Sequence, residues 1–319
     1  MHNLFSSQRR ALGASIVMLA LLCAAFDAQA ETRVTYKSAA AGTAYYLMGV
    51  ELSDVIREGT DDAIILTLEE SQGSIQNVME VLARQGNYVF TSPAILIEQA
   101  QAAEGAFAEH PHPRFQEIRS LFPLPSMTMQ FVLAGDKGSI DFSALEGKHI
   151  LIGRGTFSAR EATRYLTLFG LEGRVQIADA AINSGADAIK NEQIDGFVTA
   201  SAYPSPSVIE AASSLPISLV SLTDEQIEQT GASHQTIPGG TYPGINNDVH
   251  TTSLPVIAYT TTAMDEETAY TLTKTFWEHH ETLAEDAPWW SSVRPEMLAN
   301  MVDTLHPGAL RYYQEAGAR

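Results

Sequence analysis

Three observations predict a protein of two α/β lobes with a ligand cleft between them. Several short segments each consist of an apolar run, a loop rich in Gly, Ser or Thr, and an amphipathic helix. Strands that alternate with helices in this way form parallel sheets with helices on both faces. The segments fall into two blocks that meet near residue 135, and the rest of the chain adds one strand and one long helix. We therefore expect two lobes and two hinge crossings between them.

The chain begins with a pattern typical of a secretory signal peptide. Arg9 and Arg10 precede an uncharged apolar stretch at residues 11–26, and residues 28–30 supply the small-residue pattern that signal peptidase requires. We expect cleavage after Ala30 and a mature protein in the periplasm. The alternative is an anchor that stays in the membrane, but the apolar stretch is shorter than the roughly 20 residues that span a bilayer.

Composition excludes several classes of partner. The chain carries 38 Asp and Glu against 19 Lys and Arg, a formal net charge of -19. A protein this acidic is a poor match for nucleic acid or for anionic lipid surfaces, which need clustered basic residues. The single cysteine, Cys23, lies inside the predicted signal peptide, so the mature chain is expected to lack disulfides.

The first block contains three strand–loop–helix units. The strands are predicted at 34–37, 63–68 and 88–90, and the helices that follow them at 44–58, 75–82 and 93–103. The prolines between residues 104 and 126 predict an irregular stretch, and an apolar strand is expected at 127–134.

The second block repeats the pattern. Strands are predicted at 150–152, 175–177 and 194–198, with helices at 157–169 and 181–191, and the final strand and helix at 255–261 and 265–285. These elements predict a first lobe of residues 31–134 plus 250–319 and a second lobe of residues 135–249. A single large doubly wound sheet is the alternative.

Ligands of open α/β sheets bind where strands end and helices begin, and these edges of two lobes face one cleft. Helix N-termini carry a partial positive charge, so an acidic protein can still hold an anion there. Any single loop of this kind is more often an ordinary helix cap, but the pattern recurs in both blocks. The candidate residues in these loops are Gly42, Thr43, Gly73, Ser74, Thr91, Ser92, Gly155, Thr156, Ala200 and Ser201.

Charged and aromatic candidates lie close to the same loops. Arg154 and Arg160 have the two parallel N–H groups that can hold a carboxylate, although Arg160 can instead pair with a nearby acidic residue. Tyr45, Tyr46 and Tyr203 are candidates for walls with a polar edge.

The sequence holds little that indicates an enzyme. Residues 155–158 lack the spacing of a nucleophile elbow, and no phosphate-loop lysine motif occurs. The adjacent His279 and His280 point about 100° apart on a helix, and His110 and His112 lack a third metal ligand nearby. We therefore expect no catalytic residue, no cofactor and no metal site.

Several segments resemble the TAXI solute-binding proteins, the extracytoplasmic receptors of one branch of TRAP transporters. The similar segments are residues 41–46 with Gly49, 71–77, 194–197, 237–244, and 305–309 with Tyr312 and Tyr313. The resemblance adds Ser71 and Asn77 to the candidate site. Phe157 and Ser158, at the start of the helix that carries Arg160, are further candidates.

The resemblance implies a periplasmic binding protein fold and a small carboxylate ligand such as glutamate or 2-oxoglutarate. It also implies delivery to a sodium-driven TRAP permease with fused small and large subunits. The chain departs from the family pattern at Ala40 and Ala41, at Arg154 and at residues 158–160, all near the expected cleft. A sensory receptor that acts on a membrane histidine kinase, or an exported enzyme, would use the same cleft.

Overall fold

The computed structural model describes residues 31–135, 138–301 and 304–318. The predicted signal peptide at residues 1–30 lies outside these ranges. Within them, no helix combines the length and the apolar character that crossing a bilayer requires.

The described strands join into one 11-stranded sheet. Eight of them follow the order β2-β1-β3-β11-β4-β8-β6-β7, with β10 beside β11, β9 beside β4, and β5 beside β9. The strands are β1 (Thr32–Lys37), β2 (Ile64–Glu69), β3 (Tyr88–Pro93), β4 (Ile118–Ala134), β5 (Gly138–Ile140), β6 (His149–Leu151), β7 (Gln176–Ala178), β8 (Gly196–Ser201), β9 (Ile217–Val220), β10 (Ser233–Ile237) and β11 (Val249–Thr261).

Ten α-helices connect these strands or follow them in the described ranges. They are α1 (Ala44–Gly59), α2 (Ser74–Glu80), α3 (Ala94–Ala102), α4 (Phe157–Leu168), α5 (Gly185–Lys190), α6 (Pro206–Ser214), α7 (Asp224–Thr230), α8 (Glu266–Glu278), α9 (His280–Asp286) and α10 (Pro307–Glu315). Of these, α6, α7 and α10 were not predicted, and the helix expected at 265–285 is divided into α8 and α9 at His279.

The sheet is mixed, whereas the sequence predicted parallel sheets. Strands β2, β1 and β3 run parallel to one another, and so do β7, β6 and β8. Between these two groups lie β11 and β4, which pair antiparallel with each other and with β3 and β8 respectively. The short parallel groups match the βα units of the sequence, but the long central pair does not belong to any unit.

Strand β4 corrects the prediction of an irregular stretch up to residue 126, because it begins at Ile118 and contains Pro123 and Pro125. From residue 121 to 127 this strand pairs with β11 on one side only, since pairing with β8 starts at Thr128. A strand with a free side tolerates proline, which lacks an N–H donor. The sequence could not show which side of the strand is free.

Buried side chains form three hydrophobic clusters. The first core packs around β1, β3 and the first part of β4, and the C-terminal helices α8 and α10 also contribute to it. The second and third cores lie around β6 and β8 and the later part of β4. This arrangement confirms the predicted fold class of two α/β halves, here joined by β4 and β11. The lobe limits at residues 134 and 250 stay a prediction.

A buried ion cluster ties the first parallel strands to α2. The Lys37 side chain is 4% exposed, and its Nζ lies 2.8 Å from Glu69 Oε1 and 2.9 Å from Glu80 Oε2. Burial alone lowers the pKa of Lys37, but the hydrogen bonds to the two carboxylates outweigh it and leave that pKa above its ordinary value. The hydrogen bond from Lys37 lowers the pKa of Glu69.

Replacing Lys37 with Met should lower the free energy of unfolding by about 2 kcal/mol at pH 7, because two carboxylates lose their buried partner. The pair stabilises the protein while Glu69 is ionised, so the deficit should shrink as the pH falls through the lowered pKa of Glu69. Lys274→Met is the control, since Lys274 is 42% exposed and 3.9 Å from Glu278. Equal deficits for the two variants in urea unfolding would contradict the prediction.

Candidate ligand-binding cleft

A cleft of about 110 Å³, here called the inner chamber, lies where the first and second halves of the chain meet. Its walls come from the loops after β1, β2 and β3, from the start of α4, and from the end of β8. Its lining residues are Ser38, Ala39, Ala40, Thr43, Tyr45, Gln72, Gly73, Ser74, Thr91, Met127, Thr156, Phe157, Ser158, Ile182, Thr199, Ala200 and Ser201. None of these side chains carries a formal charge.

Two long helices begin at the inner chamber, one in each half. Thr43 precedes α1, but its side chain accepts no hydrogen bond from that helix. The first backbone N–H groups of α1 therefore have no side-chain cap. Thr156 precedes α4 and accepts a hydrogen bond from Ala159 N–H at 3.1 Å. Each N-terminus behaves as about half a positive charge, so the pair approaches one charge directed at the chamber.

Acidic residues are absent from the first turns of the helices that begin here. Neither α1 nor α4 has an Asp or Glu in its first turn, nor does the short α2. In contrast, α7 and α8 begin elsewhere and carry two acidic residues each in their first turns. In a chain with a net charge of -19, this distribution keeps negative charge away from the chamber.

Hydroxyl groups in the chamber are free to bind a ligand. The side chains of Ser74, Thr199 and Ser201 line it and make no hydrogen bond within the described part of the chain. A hydroxyl both donates and accepts, so three of them from two different halves can hold polar atoms of one small molecule.

A second space, the outer chamber, continues the cleft. It has a volume of about 220 Å³ and shares Thr43, Ile182, Thr199 and Ser201 with the inner chamber. Pro206 and Ser207 at the start of α6 line it, and so does the exposed Glu210, the one charged residue of its lining. A molecule with one end in the inner chamber can therefore extend past α6.

Asn77 holds two of the cleft loops in place from behind. Its Nδ2 donates to Ser38 O at 2.7 Å and to Thr91 O at 2.8 Å, and the side chain is fully buried. Its Oδ1 is buried without a partner among the described residues. Ser71 adds a further bond by donating to Ser38 O at 3.1 Å.

Two buried tyrosines of the first half stay neutral, and one of them, Tyr45, lines the inner chamber. Burial raises the pKa of Tyr36 to about 12, and its hydroxyl bonds with the Thr91 side chain. Burial also raises the pKa of Tyr45 well above its ordinary value, and Tyr45 donates to Pro125 O at 2.8 Å. Tyr45 thus serves as a wall, because its donor already has an acceptor.

Phe157 links the two halves across the cleft. It is the first residue of α4 and lines the inner chamber, but its buried ring belongs to the first core. Residues Ala159, Ala162 and Tyr165 of the same helix pack into the second core. The cleft is therefore closed on one side by an apolar contact between halves.

The structure brings ten of the predicted site residues to the inner chamber. These are Thr43, Tyr45, Gly73, Ser74, Thr91, Thr156, Phe157, Ser158, Ala200 and Ser201. Gly42 lines the outer chamber. Three more, Ser71, Asn77 and Ser92, are buried behind the loops, where their side chains bond to backbone carbonyl groups.

The remaining predicted residues lie away from the chambers. Arg154 is 67% exposed and pairs with Asp179 at 3.1 Å, and Gly155 and Arg160 are exposed. Tyr46, the third residue of α1, lines neither chamber, because the helix turns it about 100° from Tyr45. Tyr203 lines a different cavity.

Sequence reasoning missed seven lining residues. They are Ser38, Ala39, Ala40, Gln72, Met127, Ile182 and Thr199. The first four belong to the small-residue loops from which neighbouring candidates were chosen, and Thr199 directly precedes Ala200. No sequence signal marks Met127 or Ile182, which reach the chamber only through the tertiary fold. Within the described ranges, no group of three or more His, Cys, Asp or Glu could hold a metal ion.

Replacing Asn77 with Asp should destabilise the protein by about 2 to 4 kcal/mol. The change removes two donated hydrogen bonds and places carboxylate oxygens beside two buried carbonyl oxygens. Asn247→Asp, at an exposed position, is the control and should stay within about 0.5 kcal/mol. Equal urea midpoints for the two variants would show that the Asn77 bonds do not support the cleft.

Replacing Phe157 with Ala should let the two halves separate, because it removes the apolar contact across the cleft. The expected result is a larger radius of gyration in small-angle X-ray scattering, together with a lower melting temperature. Phe169→Ala is the matched control, since Phe169 packs only against the second core. It should lower the melting temperature without changing the radius of gyration, and a similar expansion in both variants would contradict the role of Phe157.

One solved structure shares this fold at low sequence identity, and others are similar at lower TM-scores. A protein from Bordetella bronchiseptica RB50 is 14% identical, with 90% of this chain and 98% of that chain covered and a TM-score of 0.51. A TRAP periplasmic solute-binding protein from Actinobacillus succinogenes 130Z, with bound L-galactonate, is 12% identical over 89% of this chain and 92% of that chain, with a TM-score of 0.43. Another from Ochrobacterium anthropi, with bound L-fuconate, is 12% identical over 90% and 94%, with a TM-score of 0.42.

The sequence itself matches a known family along most of its length. The model of the NMT1-like family matches residues 37–317, a range that contains every residue lining the cleft. The narrower resemblance to TAXI proteins stays a prediction. This chain belongs to the NMT1-like family.

Proposed function

We propose that this protein is an extracytoplasmic solute-binding protein that captures a small carboxylate in the cleft. The observation that carries the proposal is the meeting of two long helix N-termini, one from each half, at a chamber free of acidic side chains. A carboxylate there would accept hydrogen bonds from backbone N–H groups and from the hydroxyls of Ser74, Thr199 and Ser201.

Arg154 and Arg160, the two arginines predicted to hold the carboxylate, do not support the proposal, because both face solvent. The attraction must therefore come from dipoles and neutral donors. Two helix dipoles balance about one negative charge, so a single carboxylate fits the inner chamber better than two would. A longer acid of the glutamate or 2-oxoglutarate class would extend into the outer chamber, where Glu210 repels a second carboxylate, so an acid whose far end is neutral or cationic fits better.

The size of the cleft supports a small ligand. A cavity of about 150 Å³ is enough for benzene, and the inner chamber is somewhat smaller. A carboxylate with a few carbon atoms fills it, while the outer chamber offers space for a polar extension. Binding that touches both halves stabilises their closed arrangement, which is how such a protein would present its cargo.

The resemblance to TAXI proteins supports two finer proposals. The mature chain starts at Glu31 in the periplasm after export, and it delivers its ligand to a sodium-coupled TRAP permease with fused small and large subunits. Mass spectrometry of the protein recovered from a periplasmic extract tests the first. Uptake of the labelled ligand by vesicles that contain the permease, with and without the mature protein, tests the second.

A panel of carboxylates and their amides should identify the ligand class. Acids such as glutamate and 2-oxoglutarate should raise the melting temperature, since a ligand of the folded state stabilises by mass action, and the matched amides should raise it less. Stabilisation by uncharged or cationic solutes only would contradict the proposal.

Ser74→Asp places a carboxylate where the ligand anion should lie. The variant should fold as well as the original, because an acidic residue is favourable in the first turn of a helix. Its affinity for the carboxylate should fall by at least about 100-fold in calorimetry, because like charges are brought together in one small chamber.

Two controls separate charge from shape. Ser74→Asn has nearly the same size without the charge and should lose far less affinity. Ser143→Asp adds one negative charge at an exposed position and should leave the affinity unchanged. If Ser74→Asp and Ser74→Asn weaken binding equally, the ligand is not held by its negative charge.

A further inference from the structure

A second cavity lies beside the cleft and is larger than its inner chamber, at about 320 Å³. Its walls come from the middle of β4, the segment after β8, the region of β10, and residues 288–292 near the C-terminus. Two segments of the chain, residues 126–128 and 199–204, lie between it and the cleft and line both. Met127 lines the inner chamber while Ser126 and Thr128 line the second cavity, as expected for alternating residues of a strand.

The lining of the second cavity is polar but uncharged. It contains no Asp, Glu, Lys, Arg or His, although such residues cover much of the surface of this chain. Trp289 and Tyr203 contribute aromatic rings, and four prolines contribute apolar surface. An ionic ligand would find no opposite charge here, whereas a neutral one needs none.

The second cavity offers both a hydrogen-bond donor and a hydrogen-bond acceptor to a ligand. Tyr203 OH accepts from Gln235 Nε2 at 3.0 Å, and burial raises the pKa of Tyr203, so its own O–H stays protonated as a donor. Gln235 Nε2 also donates to Thr236 O at 2.9 Å, which leaves Gln235 Oε1 as an acceptor with no partner in the described ranges.

Aromatic surface combined with neutral donors and acceptors suits a molecule with many hydroxyl groups. Its C–H faces can pack on the rings of Trp289 and Tyr203, and its hydroxyls can both donate and accept. The Trp289 indole N–H already donates to Glu51 Oε2 at 3.0 Å, which fixes the ring in place. A cavity of about 150 Å³ binds benzene, so this one has room for roughly twice as many atoms, about the size of a hexose.

We propose that the second cavity is a binding site for a neutral polyhydroxylated molecule of about hexose size. The site is separate from the carboxylate cleft in both chemistry and lining residues. It is linked to that cleft by the strand segment at residues 199–204, whose first half lines the cleft and whose second half lines the second cavity. A ligand here would therefore alter the affinity of the cleft.

Calorimetry with four neutral probes, glucose, galactose, myo-inositol and glucitol, tests the proposal on the mature protein. At least one should bind saturably with a Kd of about 1 mM or below. Tyr203→Phe, which keeps the ring and removes the donor, should weaken that binding about threefold to tenfold. Thr241→Trp should abolish it by filling the cavity, whereas Thr262→Trp, at an exposed position, should not.

Ser74→Asp makes the outcome independent of the carboxylate proposal. In that variant the cleft is blocked to anions, so the probe that binds should bind as before, and gluconate should bind at least tenfold more weakly than that probe because the second cavity offers no cation. Four results would overturn the proposal: no saturable binding of any probe, unchanged binding in Thr241→Trp, equal binding of that probe and gluconate, or loss of its binding in Tyr203→Phe and Thr262→Trp alike.

Discussion

The antiparallel pairing of β4 and β11 is the interaction on which the rest of the structure depends. These are the two longest strands described, and each has partners in both halves of the protein. Their pairing from Ile118 to Thr128 carries the sheet from one parallel group to the other. Without it, the loops after β1, β2 and β3 would have no fixed position relative to α4 and β8. These two strands thus position the walls of the cleft, although they contribute only Met127 to the lining of its inner chamber.

Local chemistry shapes the cleft once these strands have set the halves side by side. Asn77 and Ser71 tie the backbone of the first-half loops together, and Phe157 carries apolar contact from the second half into the first core. The result is a chamber in which neutral donors and helix termini replace formal cations. Selectivity in such a site depends on the positions of these donors as well as on the charge of the ligand.

The βα units and the loops of the cleft could be predicted because they are local. A strand, a small-residue loop and an amphipathic helix lie within about 25 residues, and the loops at Thr43, Ser74 and Thr156 do meet at one chamber. The central pairing could not be predicted, since the prolines of β4 are acceptable only along a free strand side that the fold decides. Arg154 and Arg160 are predicted from their charge alone. Neighbouring residues of a loop or helix point in different directions, and both arginine side chains point to solvent.

Some of the family-like segments prove to be packing features. Tyr242, in the segment at 237–244, is buried, and its hydroxyl bonds with Gln130 while accepting from Ser205 N–H. Gly308, in the C-terminal segment, lies so close to Glu266 O that a Cβ atom would be 2.1 Å from it. His306 caps the same helix by accepting from Gly308 N–H at 3.2 Å. Motif similarity alone therefore does not separate residues that hold the fold from residues that hold a ligand.

The contrast between an acidic exterior and an uncharged cleft has a kinetic consequence. A carboxylate that approaches a chain with a formal charge of -19 is repelled at long range, and it meets attraction only within the reach of the helix termini. Salt screens the long-range repulsion more strongly than the attraction in the cleft, because the surface charges face solvent and the helix termini at the chamber do not. Association should therefore become faster as the ionic strength of the medium rises, the reverse of the usual behaviour of electrostatically steered encounters.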